Sequence, residues 1–160
     1  MSLPDIRTLV PHAGPMVLLD SLVSVGDETL CAEVNITAET LFCDGSAVGS
    51  WVGVEYMAQA VAAFAGYEAQ SRGESVKVGF LLGSRKYEVA CPGFSIGSRL
   101  HVHVQRALQG ENGLGAFGCR IVDADDADAD GAVLAHATIT VFQPDNVNEF
   151  LQQISNEGAV

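Results

Sequence analysis

The chain has 160 residues, 48% of them hydrophobic, and a formal net charge of −12 from 20 acidic and 8 basic side chains. That apolar content excludes a disordered chain, and the acidic balance argues against nucleic acid as a partner. The length suits a single domain with a good core, read over 1–160, because no repeat or long linker divides it.

Residues 1–16 are irregular, broken by Pro4, Pro11, Gly14 and Pro15. Met1 to Val10 holds no apolar run, so no signal peptide is expected. Met16 to Val25 is apolar and β-branched enough for a strand, and Gly26-Asp27 turns it into a returning strand over Thr29 to Ile36. Thr37 to Gly49 is a loop of small residues, with Ser46 or Ser50 as the expected helix cap.

The stretch from Ser50 to Tyr67 dominates the chain. It is too long for a strand, rich in alanine and apolar on nearly every side, which predicts a helix inside the protein. It is too short and too polar to cross a membrane. The helix is expected over Trp51 to Gln70 and largely buried, ending near Gly73. Glu55 and Gln59 interrupt it four residues apart, and so share one face. A carboxylate in so apolar a helix is costly unless partnered or protonated, which marks Glu55 as functional.

After Gly73 the pattern changes to strands: Val76 to Val89, Arg99 to Leu108, Leu114 to Val122 and Ala132 to Phe142, with a short terminal helix over Asn146 to Ile154. Two strands, one apolar helix and four strands in hairpin order predict an α+β fold, a curled antiparallel sheet of about six strands wrapped around a central helix. Its open edges invite pairing with a second chain. The acidic run containing Asp123, Asp125, Asp126, Asp128 and Asp130 reads as a hairpin loop. Six of the eight basic residues lie between Arg72 and Arg106, so a basic patch is expected on an acidic protein.

Cys31, Cys43, Cys91 and Cys119 are scattered with no C-x-x-C spacing, and read as reduced thiols of a cytoplasmic protein. His101 and His103 share one side of a strand, but with no clustered cysteine or third histidine in the sequence no metal site is expected.

Three stretches carry a resemblance. Leu9-Val10-Pro11-His12-Ala13-Gly14-Pro15-Met16-Val17-Leu18-Leu19-Asp20 looks like the L-P-H-R-x-P-x-L-L-x-D opening of the fatty-acid dehydratases. Glu55-Tyr56-Met57-Ala58-Gln59-Ala60 matches their helix motif E-x-x-A-Q-A. Gly79-Phe80-Leu81-Leu82-Gly83, with Gly97 further on, is similar to their F-x-G…P-G-D-x-L stretch, with a one-residue difference in length. In this order, over roughly Leu9 to Phe142, they resemble the hot-dog fold and its 3-hydroxyacyl-carrier-protein dehydratases. The stretch from Asp44 through Ala60 most resembles the ApeP-like aryl-polyene dehydratases.

The resemblance implies a 3-hydroxyacyl thioester carried on the phosphopantetheine of an acyl carrier protein, no bound cofactor, Glu55 as the catalytic carboxyl, and a site at a dimer interface. It also implies backbone donors near the helix N-terminus, for which Gly45, Val48 and Gly49 stand in the right loop, while Gln59, one turn beyond Glu55, can hold that carboxyl by a hydrogen bond. One departure stands out. The fatty-acid dehydratases carry a catalytic His in a G-H-F-P-G-x-P loop, and the comparable loop here runs Thr40-Leu41-Phe42-Cys43-Asp44-Gly45-Ser46, with Leu41 near the His position. Three sources for that histidine stay open: His12, the strand residues His101, His103 and His136, or a His-bearing hot-dog partner in a heterodimer rather than a homodimer. Two other functions also stay open: a hot-dog thioesterase using Glu55, and a non-catalytic acyl-binding subunit.

Overall fold

In a computed structural model, the structure describes residues 3–75, 80–110, 112–126, 132–143, 152 and 155–156. Strands β1 (Ser21–Val25) and β2 (Thr29–Asn35) form the first hairpin, and a short β3 (Ala47–Gly49) leads into helix α1 (Gly53–Ser71). Then come β4 (Phe80–Val89), a short β5 (Gly93–Ser95), β6 (Arg99–Gln109), β7 (Leu114–Asp123) and β8 (Val133–Phe142). Six strands make one antiparallel sheet in the order β1-β2-β6-β7-β8-β4, and β3 pairs with β5 beside it. This is the α+β hot-dog arrangement, with β1 and β4 at the two edges of the sheet.

Period-two alternation decides which strand face meets the helix. On β2 the core residues are Leu30, Ala32 and Val34, and on β6 they are Leu100, Val102 and Val104. Tyr56, Met57, Ala60 and Phe64 of α1 pack into that concave face. The helix is not covered all round: Glu55, Ala58, Ala62 and Ala65 form a strip that stays partly exposed. Among the described residues, no helix is long and apolar enough to cross a membrane.

The structure differs from the sequence reading in four places. The first strand begins at Ser21, not Met16, because Gly14–Met16 form a 3-10 turn with Pro15 inside it and Gly14 at φ 58°. The loop over 37–49 contains β3, whose register Val48↔Phe94 ties it to β5. Ser50–Val52 form a 3-10 turn before α1, no serine side chain caps either element, and Trp51 is 67% exposed. Glu55 is also only partly buried, with 40% of its side chain accessible. Residues 76–79 at the expected start of β4 and most of 146–154 lie outside the described residues.

Three of the six basic residues of the expected patch are neutralised. Arg106 pairs with Glu28 and Glu68, Arg99 with Glu33 and Asp125, and Arg72 with Glu74. Arg85 and Lys86 are exposed on β4 and have no ion-pair partner among the described residues.

Candidate active site

The site starts with a clamp on α1. Gly66 lets the backbone of Leu9 approach the helix so closely that a β-carbon there would stand 1.9 Å from the Leu9 carbonyl oxygen. Gln70 Nε2 donates to the carbonyl of Thr8 at 2.8 Å, just upstream. Downstream, Gln59 holds the same segment: its Oε1 accepts from the N–H of Leu18 at 2.9 Å, and its Nε2 donates to the carbonyl of Met16 at 2.7 Å. Ile6, Leu9, Leu18 and Leu19 bury their side chains in the core. The N-terminal segment is thus fixed to the helix on both sides of His12.

His12 therefore faces Glu55. Its Nε2 lies 3.6 Å from Glu55 Oε1, outside hydrogen-bond range but within ion-pair range. His12 Nδ1 is buried and has no hydrogen-bond partner among the described residues. Gln59 is fully buried, and its remaining N–H donates to Glu55 Oε1 at 3.1 Å. Two backbone contacts fix which end of the Gln59 amide is nitrogen, so the group touching Glu55 is a donor. It steadies one carboxylate oxygen, and Oε2 has no hydrogen-bond partner among the described residues.

The pair opens into a cavity of about 200 Å³. Ala58, Ala62 and Ala65 continue the Glu55 strip along the helix as one wall, and Gly115 and Phe117 of β7 with Val141 of β8 form the other. Small side chains on one wall and apolar ones on the other give the cavity an apolar body that ends at the His/Glu pair. The volume is below the 300–1,000 Å³ usual for a complete ligand site.

The structure thus joins Glu55, Gln59 and His12, and leaves Gly45, Val48 and Gly49 outside the lining of this cavity. Gly45, at φ 104°, sits in a turn closed by Asp44 Oδ1, which accepts from the N–H groups of Ser46 and Ala47, both at 2.9 Å. Val48 is buried in the β3–β5 pair, and Gly49 leaves room for the Trp51 indole. His101, His103 and His136 stand on the outer face of the sheet, away from Glu55: their register partners are outward-facing residues such as Glu33, Cys31 and Arg120. Sequence reasoning missed the Gly66 and Gln70 contacts that seat His12; a glycine inside an alanine-rich helix was the available signal.

A model of the ApeP-like family, described as ApeP dehydratase, matches residues 4–152. Among solved structures, the chain is similar to the dehydratase heterocomplex ApeI:P from Xenorhabdus doucetiae, at 28% identity and TM-score 0.84, over 96% of this chain and 99% of that one. It shares its fold with zebra fish thioesterase superfamily member 2, at 12% identity and TM-score 0.62, over 86% and 91% of the two chains. It also shares it with the PaaI protein of the E. coli phenylacetic acid degradation operon, at 16% identity and TM-score 0.56, over 76% and 80%. No curated protein matches the chain.

Proposed function

This chain belongs to the ApeP-like dehydratase family, and on that premise we propose that it removes water from 3-hydroxyacyl thioesters carried on an acyl carrier protein, in aryl-polyene-type biosynthesis, with His12 and Glu55 as its acid–base pair. The observation that carries this reading is the 3.6 Å approach of His12 Nε2 to Glu55 Oε1 at the end of an apolar cavity.

Dehydration breaks a Cα–H bond and a Cβ–O bond and needs a base and an acid on one side of the substrate. Neutral His12 accepts the α-proton at Nε2, and the Cα–H electron pair becomes the new double bond. Protonated Glu55 gives its proton to the β-hydroxyl, which leaves as water. The pair then stands as imidazolium and carboxylate, and moving one proton from His12 to Glu55 across their short separation restores it. Gln59 keeps Glu55 aimed throughout. Gly45, Val48 and Gly49 remain the proposed backbone donors for the thioester carbonyl; their loop ends at the start of the helix, where the dipole favours developing negative charge.

The chain works beside a second hot-dog dehydratase subunit. Three things support this: the solved relative is a dehydratase heterocomplex, the cavity is small for a whole site, and β4 is an edge strand with one side free to pair.

The test is dehydration of a 3-hydroxyacyl carrier protein, with the product identified by mass. Glu55→Gln and His12→Ala should each lower turnover by about 10²–10⁴-fold with assembly intact. Activity that ignores His12→Ala but appears only on adding a His-bearing partner would move the base to that partner. Release of free acid and thiol, lost in Glu55→Gln, would replace dehydration by hydrolysis. Activity that survives Glu55→Gln would reduce the chain to a scaffold.

A further inference from the structure

The outer face of the sheet carries a row of polar residues, one from each strand. Register places Ser24, Cys31, His103, Arg120, His136 and Glu88 side by side across β1, β2, β6, β7, β8 and β4. A groove of about 460 Å³ lies over this row, and Cys31 and His103 are in its lining. Cys31 is 4% exposed, and its Sγ stands 3.9 Å from His103 Nε2. His101 is two residues along β6 on the same face, its ring centroid 6.2 Å from that of His103. One donor atom from each of Cys31, His101 and His103 falls within 4.8 Å of the others. None of the three lines the His12–Glu55 cavity.

We propose that Cys31, His101 and His103 form a binding site for one borderline-soft divalent cation, with zinc as the reference ion. The donor set is what such ions prefer, one thiolate and two imidazoles. Tetrahedral bonds of 2.3 Å to sulfur and about 2.05 Å to nitrogen put neighbouring donors roughly 3.3–3.6 Å apart. The Cys31–His103 pair is already near that spacing, and the His101 donor closes the rest by a side-chain rotation, since β2 and β6 hold both backbones. Glu33 Oε1 lies 3.1 Å from His101 Nε2, the outer carboxylate that metal-bound histidines commonly carry. The fourth position opens to the groove and takes water. Binding involves no redox change: the metal replaces the Cys31 thiol proton, which leaves to solvent, and each imidazole gives a lone pair. The Cys31 thiolate and Glu33 offset the charge of the dication, while Arg120, beside His103 in register, and Arg99, on Glu33, add positive charge that lowers its affinity.

The test uses tag-free full-length protein stripped with a chelator. Titration with cobalt(II) should give one equivalent per chain and a thiolate-to-cobalt charge-transfer band in the near ultraviolet, and calorimetry with zinc should give the same stoichiometry. Cys31→Ser and His103→Gln should each weaken zinc by more than about 100-fold, and Glu33→Gln by about 10-fold, the range for outer partners. His136→Gln and His12→Ala should bind as the parent does. If Cys31→Ser fails to fold, His101→Gln and His103→Gln carry the same test. Cobalt binding without the thiolate band, or zinc affinity unmoved in the Cys31 and His103 variants, overturns the site. Dehydration is read separately, so failure of this site leaves the His12–Glu55 reading untouched.

Discussion

The carbonyl oxygen of Leu9 occupies the space that a β-carbon on Gly66 would need, 1.9 Å away, so the N-terminal segment lies directly on the central helix. Alanine in place of Gly66 gains about 1 kcal/mol of helix propensity but drives a methyl into rigid backbone, and overpacking of this kind costs about 1–3 kcal/mol. Gly66→Ala should therefore lower the urea midpoint. It should also lower kcat by roughly 10²-fold, because displacing the segment by about 1 Å moves His12 off Glu55. Unchanged kcat in a destabilised variant would show that His12 is seated by other contacts.

Gln59 serves two backbone groups and one carboxyl at once. Gln59→Leu leaves the Leu18 N–H and the Met16 carbonyl without partners, at about 1–3 kcal/mol each. Gln59→Glu keeps an acceptor for Leu18 but sets an acceptor against the Met16 carbonyl and a second acid against Glu55. Both should lower stability in chemical denaturation. Both should also lower turnover, since each removes the N–H that steadies Glu55 Oε1.

Trp51 and Phe42 form an edge-to-face pair, ring centroids 5.5 Å apart, yet they are 67% and 46% exposed. Phe42 holds φ 71°, a conformation unusual for an aromatic residue. If a partner subunit covers this pair, Trp51→Ala should weaken association by about 30-fold or more, the scale of a tryptophan hot spot. Sedimentation of the mixed subunits reads this directly, and unchanged association would put the interface elsewhere.

Acyl carrier proteins are acidic, and Arg85 and Lys86 are the unpaired exposed cations of β4 among the described residues. Reversing both charges should slow carrier association about 10-fold at low salt and flatten its salt dependence. Stopped-flow association at two ionic strengths checks this, and unchanged rates would assign docking to another face.

Backbone donation from Ala47, then from Ser46, holds the Asp44 carboxyl below the ordinary aspartate range. Its folded pKa is depressed, so its contribution to stability is complete above the unfolded value of about 3.9 and is lost as pH falls through the folded one. The side-chain amide introduced by Asp44→Asn accepts similar bonds without titrating. The parent should exceed that variant in stability at neutral pH, and the gap should close below about pH 4. Urea midpoints across roughly pH 2.5–7, a range set by that pKa, read the difference.

Local pattern made much of the protein legible. Apolar residues all round Trp51 to Gln70 marked the central helix, and period-two alternation in Arg99 to Leu108 marked β6 and its buried face. The four-residue spacing of Glu55 and Gln59 announced their hydrogen bond, because a helix fixes such neighbours without help from the rest of the chain. Trp51 was misplaced because a 3-10 turn and a 3.6-residue helix point the same sequence in different directions.

What pairs across long stretches of chain was decided only by tertiary structure. His12 meets Glu55, 43 positions on, because Gly66 and Gln70 seat its segment on the helix. Cys31 reaches His103, 72 positions away, because β2 and β6 pair in the register Cys31↔His103. Periodicity tells which face of an element is apolar. It does not tell which two faces meet, because that depends on packing the whole core at once.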